Sequence, residues 1–258
     1  MKLGVNIDHI AVLREARKIN DPDPLDALPI LKRTKTDQIT IHLREDRRHI
    51  NDLDAKKIIE QAHIPVNLEC SVNDDIIDIV CSLKPHRATL VPEKREEVTT
   101  EGGLDVFGLE DNLTKAIKKL KEHEIGVSLF IDPDEKTIHK CAELDVDMIE
   151  LHTGSYANIY AMLYSNLSKM HNSIKELELS RKELLDKLQH SLEAIEKSSV
   201  LGISLGMEVA AGHGLNYQNV HDIKNISAIT ELNIGQSIIA RSVFTGLEKA
   251  ITDMQELI

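Results

Sequence analysis

The sequence predicts an α/β fold, a TIM (β/α)8 barrel in which eight parallel strands close into a ring surrounded by helices. The chain has 258 residues, and such barrels typically need roughly 250. Eight short apolar runs rich in Val, Ile and Leu recur along it, and segments with helical spacing separate them. We expect one barrel domain over residues 1–258 with extra helices, and an open, doubly wound sheet is the alternative.

The predicted strands come first in the order of the chain. They are LGVNI (3–7), QITIHL (38–43), PVNLE (65–69), ATLVP (88–92), GVSLFI (126–131), DMIELH (147–152), GMEVAAG (206–212) and ITELNIG (229–235). Between them, residues 52–62 and 112–124 have the spacing or composition of helices and are long enough to join parallel strands. This alternation favours a parallel sheet over an antiparallel one.

The connection between the sixth and seventh strands is the longest, and we expect a helical insertion there over about 158–199. An apolar stripe from Leu163 to Leu177 predicts an extended helix or helical hairpin that projects from the barrel. Ser180 and Glu183 have the spacing of a capping box, which would start a second helix. The stripe either packs on the barrel or contacts another subunit.

The composition excludes some classes of partner. A formal charge of −12 with only 3% aromatic residues disfavours nucleic acid and anionic membranes, which need basic faces or stacking platforms. No run of about 18 apolar residues predicts a membrane span, and the N-terminus does not resemble a signal peptide. The three cysteines form no CxxC pair, which suits a reducing compartment. We therefore expect a cytoplasmic protein.

Ionisable side chains follow the C-terminal ends of nearly all predicted strands. These ends share one face of a barrel, and that face is the catalytic one in barrel enzymes. Glu69 ends an otherwise apolar strand, and Glu150 shares a strand face with His152. Burial would raise the pKa of such a carboxyl group and make it a usable base. His213, between two glycines, has room to exchange a proton with a ligand, although a solvated turn is the alternative.

Glycine-containing loops follow the seventh and eighth strands, at AAGHGL (210–215) and LNIGQS (232–237). Barrels frequently bind phosphate on these two loops, through backbone N–H groups and a helix N-terminus. VPEKREEVTTEGGLD (91–105) predicts either a lid hinged at Gly102–Gly103 or a solvated loop. Neither HxH nor HExxH spacing occurs, so the sequence favours no metal site.

Several motifs resemble, in order and over nearly the whole chain, the pyridoxine 5′-phosphate synthase family. They are GVNIDHIAVLREAR (4–17), ITIHLREDRRHI (39–50), NLE (67–69), LVPEKREEVTTEGGLDV (90–106), IELHTGSYA (149–157), AGHGLNY (211–217) and ELNIG (231–235). The resemblance implies a TIM barrel that assembles into a homo-octamer. It also implies the condensation of 3-amino-2-oxopropyl phosphate with 1-deoxy-D-xylulose 5-phosphate to pyridoxine 5′-phosphate, phosphate and water. The reaction includes no redox step, so no cofactor is expected.

The resemblance also implies roles for single residues. His42 and Glu69 correspond to proton acceptors, His213 to a proton donor, and Glu150 to a carboxylate that supports charge in the transition state. Substrate contacts are implied at Asn6, Asp8, His9 and Arg17 for the amino ketone phosphate, at Arg44, His49 and Thr99 for the deoxyxylulose phosphate, and at Gly214, Gly235 and Gln236 for an anion.

Two features depart from the family pattern. Gln236 stands where many members have histidine, which matters only if the side chain rather than the backbone binds the phosphate. The segment 165–199 exceeds the usual length. The alternatives are a metal-dependent isomerase or hydrolase barrel acting on sugar phosphates, and a scaffold whose helices recruit a partner. Within IHLREDRRHI (41–50), we expect Glu45, Asp46, Arg47 and Arg48 to brace the loop through ion pairs.

Overall fold

The computed structural model describes residues 1–93 and 102–258. Eight parallel strands form a closed barrel in which each strand pairs with the next and β8 pairs with β1. The predicted barrel is confirmed and the open sheet is wrong. The strands are β1 (Lys2–Asn6), β2 (Gln38–His42), β3 (Val66–Cys70), β4 (Arg87–Leu90), β5 (Gly126–Ile131), β6 (Met148–His152), β7 (Glu208–Gly212) and β8 (Glu231–Ile234).

Helices surround this barrel in the described part of the chain. They are α1 (Asp8–Arg17), α2 (Leu28–Arg33), α3 (Asp52–Gln61), α4 (Asp74–Leu83), α5 (Glu110–Glu122), α6 (Glu135–Glu143), α7 (Gly154–Tyr164), α8 (Arg181–Ser204), α9 (Val220–Lys224), α10 (Gln236–Thr245) and α11 (Leu247–Gln255). The predictions over 52–62 and 112–124 correspond to α3 and α5. No described helix is long and apolar enough to cross a membrane.

Alternate residues of each strand have different surroundings. On β2, Ile39 and Ile41 are fully buried and belong to the apolar core between strands and helices. The side chains between them are polar, and they point to the barrel axis because successive residues of a strand face opposite sides. Arg87 of β4 donates to Glu231 of β8 at 2.8 Å. Since β4 and β8 lie on opposite sides of the ring, this bond crosses the interior.

The barrel interior is therefore polar along its whole length, unlike the layers of branched apolar side chains usual in this fold. Its buried polar strand residues include Gln38, Thr40, His42, Asn67, Thr89, Ser128, Glu150, His152, Glu231 and Asn233. The sequence predicted ionisable groups only at the C-terminal strand ends. That prediction is incomplete, because Arg87 and Glu231 are the first residues of their strands.

The connection from β6 to β7 differs from the predicted hairpin. Residues between α7 and α8 form two short 3-10 turns, Leu167–Lys169 and Lys175–Leu177, so the continuous helix predicted from the apolar stripe is wrong. Ser180 does form a capping box with Glu183 and starts α8. The buried residues of α8, among them Leu184, Leu188 and Ile195, pack toward the barrel. The helix contacts both β6 and β7. The helix is thus the crossover between these two strands.

Candidate active site at the C-terminal mouth of the barrel

His42, the last residue of β2, lies between two carboxyl groups. Its Nε2 is 2.9 Å from Oε1 of Glu93, and its Nδ1 is 3.9 Å from Oε2 of Glu69. A carboxylate can only accept hydrogen bonds, so His42 donates through Nε2 and presents the Nδ1 lone pair toward Glu69. Burial opposes ionisation of Glu93, but the hydrogen bond and charge of His42 together lower its pKa.

Asp8 connects the ends of the first two strands. Its Oδ1 accepts a hydrogen bond from the backbone N–H of His42 at 2.9 Å, and its Oδ2 accepts one from Nδ2 of Asn6 at 2.9 Å. Burial raises the pKa of Asp8 to about 6, although His42 and Asn6 partly offset this effect. Asp8, supported by Asn6, therefore fixes the position of the backbone at His42.

Glu69 and Glu150 lie in the same mouth, and the charge of Glu150 opposes the ionisation of Glu69. Burial is the main reason that the pKa of Glu69 is well above its usual value, and the charges of Glu150 and Asp8 add to it. Burial also raises the pKa of Glu150, to about 7, against a lowering effect of the hydrogen bond from Asn233. Two carboxyl groups with raised pKa values in one mouth can exchange protons during a reaction.

On the opposite side of the mouth, His152 lies next to His213, with ring centroids 5.0 Å apart. Nδ1 of His152 is 3.0 Å from Oδ1 of Asp132, and this hydrogen bond is the main cause that lowers the pKa of Asp132. Nε2 of His152 is buried without a hydrogen-bond partner in the described structure. Since Nδ1 donates to Asp132, Nε2 carries the lone pair of the neutral ring, and an added Cβ at Gly154 would lie 2.4 Å from it.

His213 has an unusual backbone conformation. Its φ is 80°, in the left-handed region that a residue with a side chain rarely adopts, and Gly214 follows with a φ of 81°. A Cβ at Gly214 would lie 2.6 Å from the Cβ of Ala157. Burial, together with the charges of His152 and His9, lowers the pKa of His213 to about 4. The imidazole is therefore neutral at pH 7 when no anion is bound nearby.

The predicted anion site brings together the ends of β1, β7 and β8. Gly235 lies so close to Asn6 and His9 that an added Cβ would be 2.8 Å from Cβ of Asn6 and 3.0 Å from Cε1 of His9. Gln236 is the first residue of α10, and no side chain caps this helix end. Its exposed side chain leaves the backbone N–H groups of the first turn as the available donors. Nδ1 of His9 is buried without a partner.

In the loop after β2, Asp46, Arg47 and Arg48 form ion pairs as expected, whereas Glu45 accepts a hydrogen bond from Ser71 at 2.7 Å. Arg47 donates to Asp52 at 2.9 Å, and Arg48 donates to Asp46 at 2.8 Å. Arg44 is buried, with its Nε 3.4 Å from Asp46. The ring of His49 has its centroid 6.1 Å from that of His42, and Arg14 donates to the carbonyl of His49 at 3.0 Å. Arg44 and His49 thus both lie in the loop that follows His42.

One predicted contact residue is not brought to this cluster. Arg17 is exposed and ends α1, nine residues after Asp8, which corresponds to about 14 Å along a helix axis. Thr99 and most of the predicted lid lie outside the described residues. Gly103, at the predicted hinge, donates a backbone hydrogen bond to Asp132.

Sequence reasoning missed Asn233, whose amide contacts Glu150 at 2.8 Å, and gave no role to Glu93, the partner of His42. Asn233 lies inside the quoted motif ELNIG, but nothing in that stretch indicates which strands converge on it. Among the described residues, no group of three or more His, Cys, Asp or Glu side chains is arranged to hold a metal ion.

The chain is similar to proteins of one family along its full length. A family model described as pyridoxal phosphate biosynthesis protein PdxJ matches residues 3–258. The pyridoxine 5′-phosphate synthase of Nitratiruptor sp. is 68% identical over 258 residues, which cover 100% of this chain and 97% of that protein. The synthase of Aliarcobacter butzleri is 70% identical over 258 residues, with 100% and 99% covered. These alignments run through 158–199, and an insertion relative to the family is not confirmed.

Solved structures show the same fold at low identity. 3-Hexulose-6-phosphate synthase superposes with a TM-score of 0.59 at 12% identity and covers 100% of both chains. The tryptophan synthase A-subunit of Pyrococcus furiosus superposes with a TM-score of 0.57 at 10% identity, covering 99% of this chain and 97% of its own. At such identities the likeness concerns the fold alone.

Proposed function

This chain belongs to the family of pyridoxal phosphate biosynthesis proteins described as PdxJ, and from that membership we propose that it is a pyridoxine 5′-phosphate synthase. The enzyme condenses 3-amino-2-oxopropyl phosphate with 1-deoxy-D-xylulose 5-phosphate and releases pyridoxine 5′-phosphate, phosphate and water. The observation that carries the proposal is the match over the whole chain to relatives that bear this name.

The proton acceptors in this proposal are His42 and Glu69. Joining an amine to a ketone, losing water and phosphate, and closing an aromatic ring require several proton transfers. His42 is supported by Glu93, which fixes its ring and stabilises the imidazolium that forms when Nδ1 accepts a proton. Glu69 has the raised pKa of a base that must release its proton again in each turnover.

His213 is the proposed proton donor, and its protonation follows ligand binding. In the free barrel its low pKa leaves it neutral. A phosphate bound on the adjacent Gly214 and Gly235 loops would bring negative charge beside the ring and raise that pKa. Coupling of this kind would supply the donor only when a substrate is present. Glu150 would support positive charge that develops in the transition state.

The phosphorylated substrates would bind on two sides of the mouth. We propose that the amino ketone phosphate meets Asn6, Asp8 and His9. The loops that carry Gly214, Gly235 and Gln236 would bind an anion through their backbone N–H groups. We propose Arg44, His49 and Thr99 for the deoxyxylulose phosphate. Local arginines and backbone donors would serve the anions although the whole chain carries a charge of −12.

We further propose that the enzyme is a homo-oligomer, an octamer, in which Arg17 reaches the mouth of a neighbouring copy. Its exposed position about 14 Å along α1 from Asp8 separates it from the ligand contacts of its own barrel. The adjacent helices α1 and α10 expose large apolar side chains, among them Phe244 at 90% and Val243 at 66%. Such groups are typical of subunit contacts.

The proposed compartment is the cytoplasm, and we propose that no cofactor or metal takes part. The three cysteines are free and buried, as suits a reducing environment.

The test is to mix the two proposed substrates with the purified protein and to measure pyridoxine 5′-phosphate and released phosphate. The same assay after exhaustive chelation distinguishes the alternative, a metal-dependent barrel. Formation of both products at an unchanged rate after chelation is expected. Absence of product without chelator would overturn the proposed function, and a loss of activity on chelation would favour the metal-dependent alternative.

A further inference from the structure

Asn233 of β8 lies below the proposed catalytic groups and contacts them from inside the barrel. Its side-chain amide nitrogen donates to Oε2 of Glu150 at 2.8 Å and faces Oε1 of Glu231 at 3.4 Å. Its amide oxygen faces two donors, Nε2 of Gln38 at 3.4 Å and Oγ1 of Thr40 at 3.3 Å. Two carboxyl groups on one side and two donors on the other allow only one orientation of the amide.

The neighbouring strands leave room for this contact. A Cβ at Gly4 of β1 would overlap the amide oxygen of Asn233, and a Cβ at Gly212 of β7 would overlap Oε1 of Glu150. Both strands that flank β8 thus lack a side chain where the pair lies. Asn233 is 7% exposed and Glu150 is 3% exposed, so water cannot readily replace the amide as a donor.

The charges around Glu150 make this one donor important. Glu231 opposes the ionisation of Glu150, whereas Arg87 favours it from the bottom of the barrel. His152 follows two residues later on the same strand, and β5 and β7 present Phe130 and Ala210 beside Glu150 in the strand register. The amide of Asn233 is the only group that an observed hydrogen bond brings to the carboxylate within the described structure.

We propose that Asn233 is a positioning residue of the synthase reaction, which holds the Glu150 carboxylate in one orientation and favours its charged form. The proposal rests on the proposed function and deepens it. An unionised or rotated Glu150 would no longer stabilise positive charge above it, so turnover rather than substrate binding depends on the amide.

The experiment compares N233D and N233L with the wild-type enzyme between about pH 5 and pH 9. Both variants keep the approximate shape of the side chain but remove the amide that donates to Glu150. N233D also adds a negative charge beside Glu150. We expect the acidic limb of kcat to move upward by about one pH unit, so that kcat falls roughly fivefold at pH 7 and roughly tenfold at pH 6, and recovers at alkaline pH. KM for both substrates should change less than about twofold.

S128A is the matched control, because Ser128 is another buried polar residue of the interior, with no hydrogen-bond partner in the described structure. Its pH profile should equal that of the wild type. A loss of kcat that is equal at every pH, or a pH limb that stays in place in both variants, would overturn the proposal.

A second measurement does not depend on turnover. Infrared titration of the free protein, with E150Q to assign the carboxyl band of Glu150, should show the protonated form persisting to higher pH in both variants. An unchanged titration would also overturn the proposal. If the wild type forms no pyridoxine 5′-phosphate while the titration moves as expected, the proposed function fails and the role of Asn233 toward Glu150 stands.

Discussion

At the scale of single residues, three carboxyl groups of the barrel mouth lie where ionisation is unfavourable. Asp8, Glu69 and Glu150 all have raised pKa values, and burial is the largest cause for each. The chain keeps these groups although apolar side chains of similar volume would avoid the cost of burying them. The proposed proton transfers account for their presence in one barrel mouth, since burial of these groups gives no gain in stability.

Replacing Glu69 by Gln tests its role as a base. The variant keeps the shape of the side chain but cannot accept a proton, so we expect kcat to fall by about 10²-fold or more while substrates still bind. Steady-state kinetics and ligand titration measure the two effects. Glu208→Gln is the control, because that residue is exposed at the opposite end of β7 and its variant should be fully active. A near-normal rate for E69Q would remove Glu69 from the mechanism.

Replacing Glu150 by Gln should stabilise the protein at alkaline pH. Glu150 has a usual pKa of 4.5 and a pKa of about 7 in the barrel, so the folded state retains a proton that the unfolded state has lost. The favourable contribution of Glu150 to the free energy of unfolding is therefore fully present below about pH 4.5, and it is lost as the pH rises through about 7. E150Q should therefore exceed the wild type by roughly 3 kcal/mol at pH 8, and by little near pH 4.5.

Denaturant unfolding of both proteins at the two pH values measures this difference. The same variant should lose turnover, as expected where function and stability oppose each other. An equal difference in the free energy of unfolding at both pH values would contradict the raised pKa of Glu150.

At the scale of elements, the strands are the best-predicted part. Runs such as GVSLFI (126–131) are apolar, β-branched and bounded by turn residues, and the observed β5 has the same bounds. The stripe from Leu163 to Leu177 was misleading because its spacing fits a helix, although Asn166, Asn172 and Ser173 are residues that favour turns. The local pattern cannot show that these apolar side chains pack against the core from turns and irregular segments rather than from a helix.

The site was predictable where a residue conflicts with its strand. Glu69 and Glu150 stand out because a carboxylate in an apolar run has no local partner. Asn233 does not stand out, since its role depends on β2, β6 and β8 converging on one point. Side chains that act through long-range contacts have no signature in a single sequence.

The capping box of α8 can be tested by Ser180→Ala. The Ser180 hydroxyl accepts a hydrogen bond from the backbone N–H of Glu183, whose carboxylate accepts one from the backbone N–H of Ser180 at 2.9 Å. Its loss should lower the free energy of unfolding by about 1 kcal/mol and leave turnover unchanged. Q189A, in the exposed middle of the same helix, should change stability by only a few tenths of a kcal/mol. Equal effects of both variants would contradict a specific role for the cap.

At the scale of the whole molecule, the position of Arg17 makes the proposed oligomer testable. If each site takes Glu69 from one copy and Arg17 from another, E69Q and R17A should each be nearly inactive alone. Joint refolding of equal amounts should restore about a quarter of the wild-type activity, because that fraction of sites then combines two intact residues. The assay is turnover after mixing, with sedimentation to measure assembly.

The control mixes E69Q with H213A, whose residues belong to the same mouth. Since no combination of copies gives that mouth both groups, activity should not return. Recovery in the control, or none with R17A, would contradict the shared site. A monomer in sedimentation would contradict the octamer.

The alternation of apolar and polar residues along the strands has a consequence for how this enzyme can evolve. Ile41 and Leu68 belong to the shell that holds helices on the barrel, whereas their neighbours His42 and Glu69 face the axis. Selection for thermal tolerance can therefore act on one set of positions, and selection for a new substrate on the other, although both occupy the same short strands. A mutational library restricted to every second strand residue would sample either property nearly independently of the other.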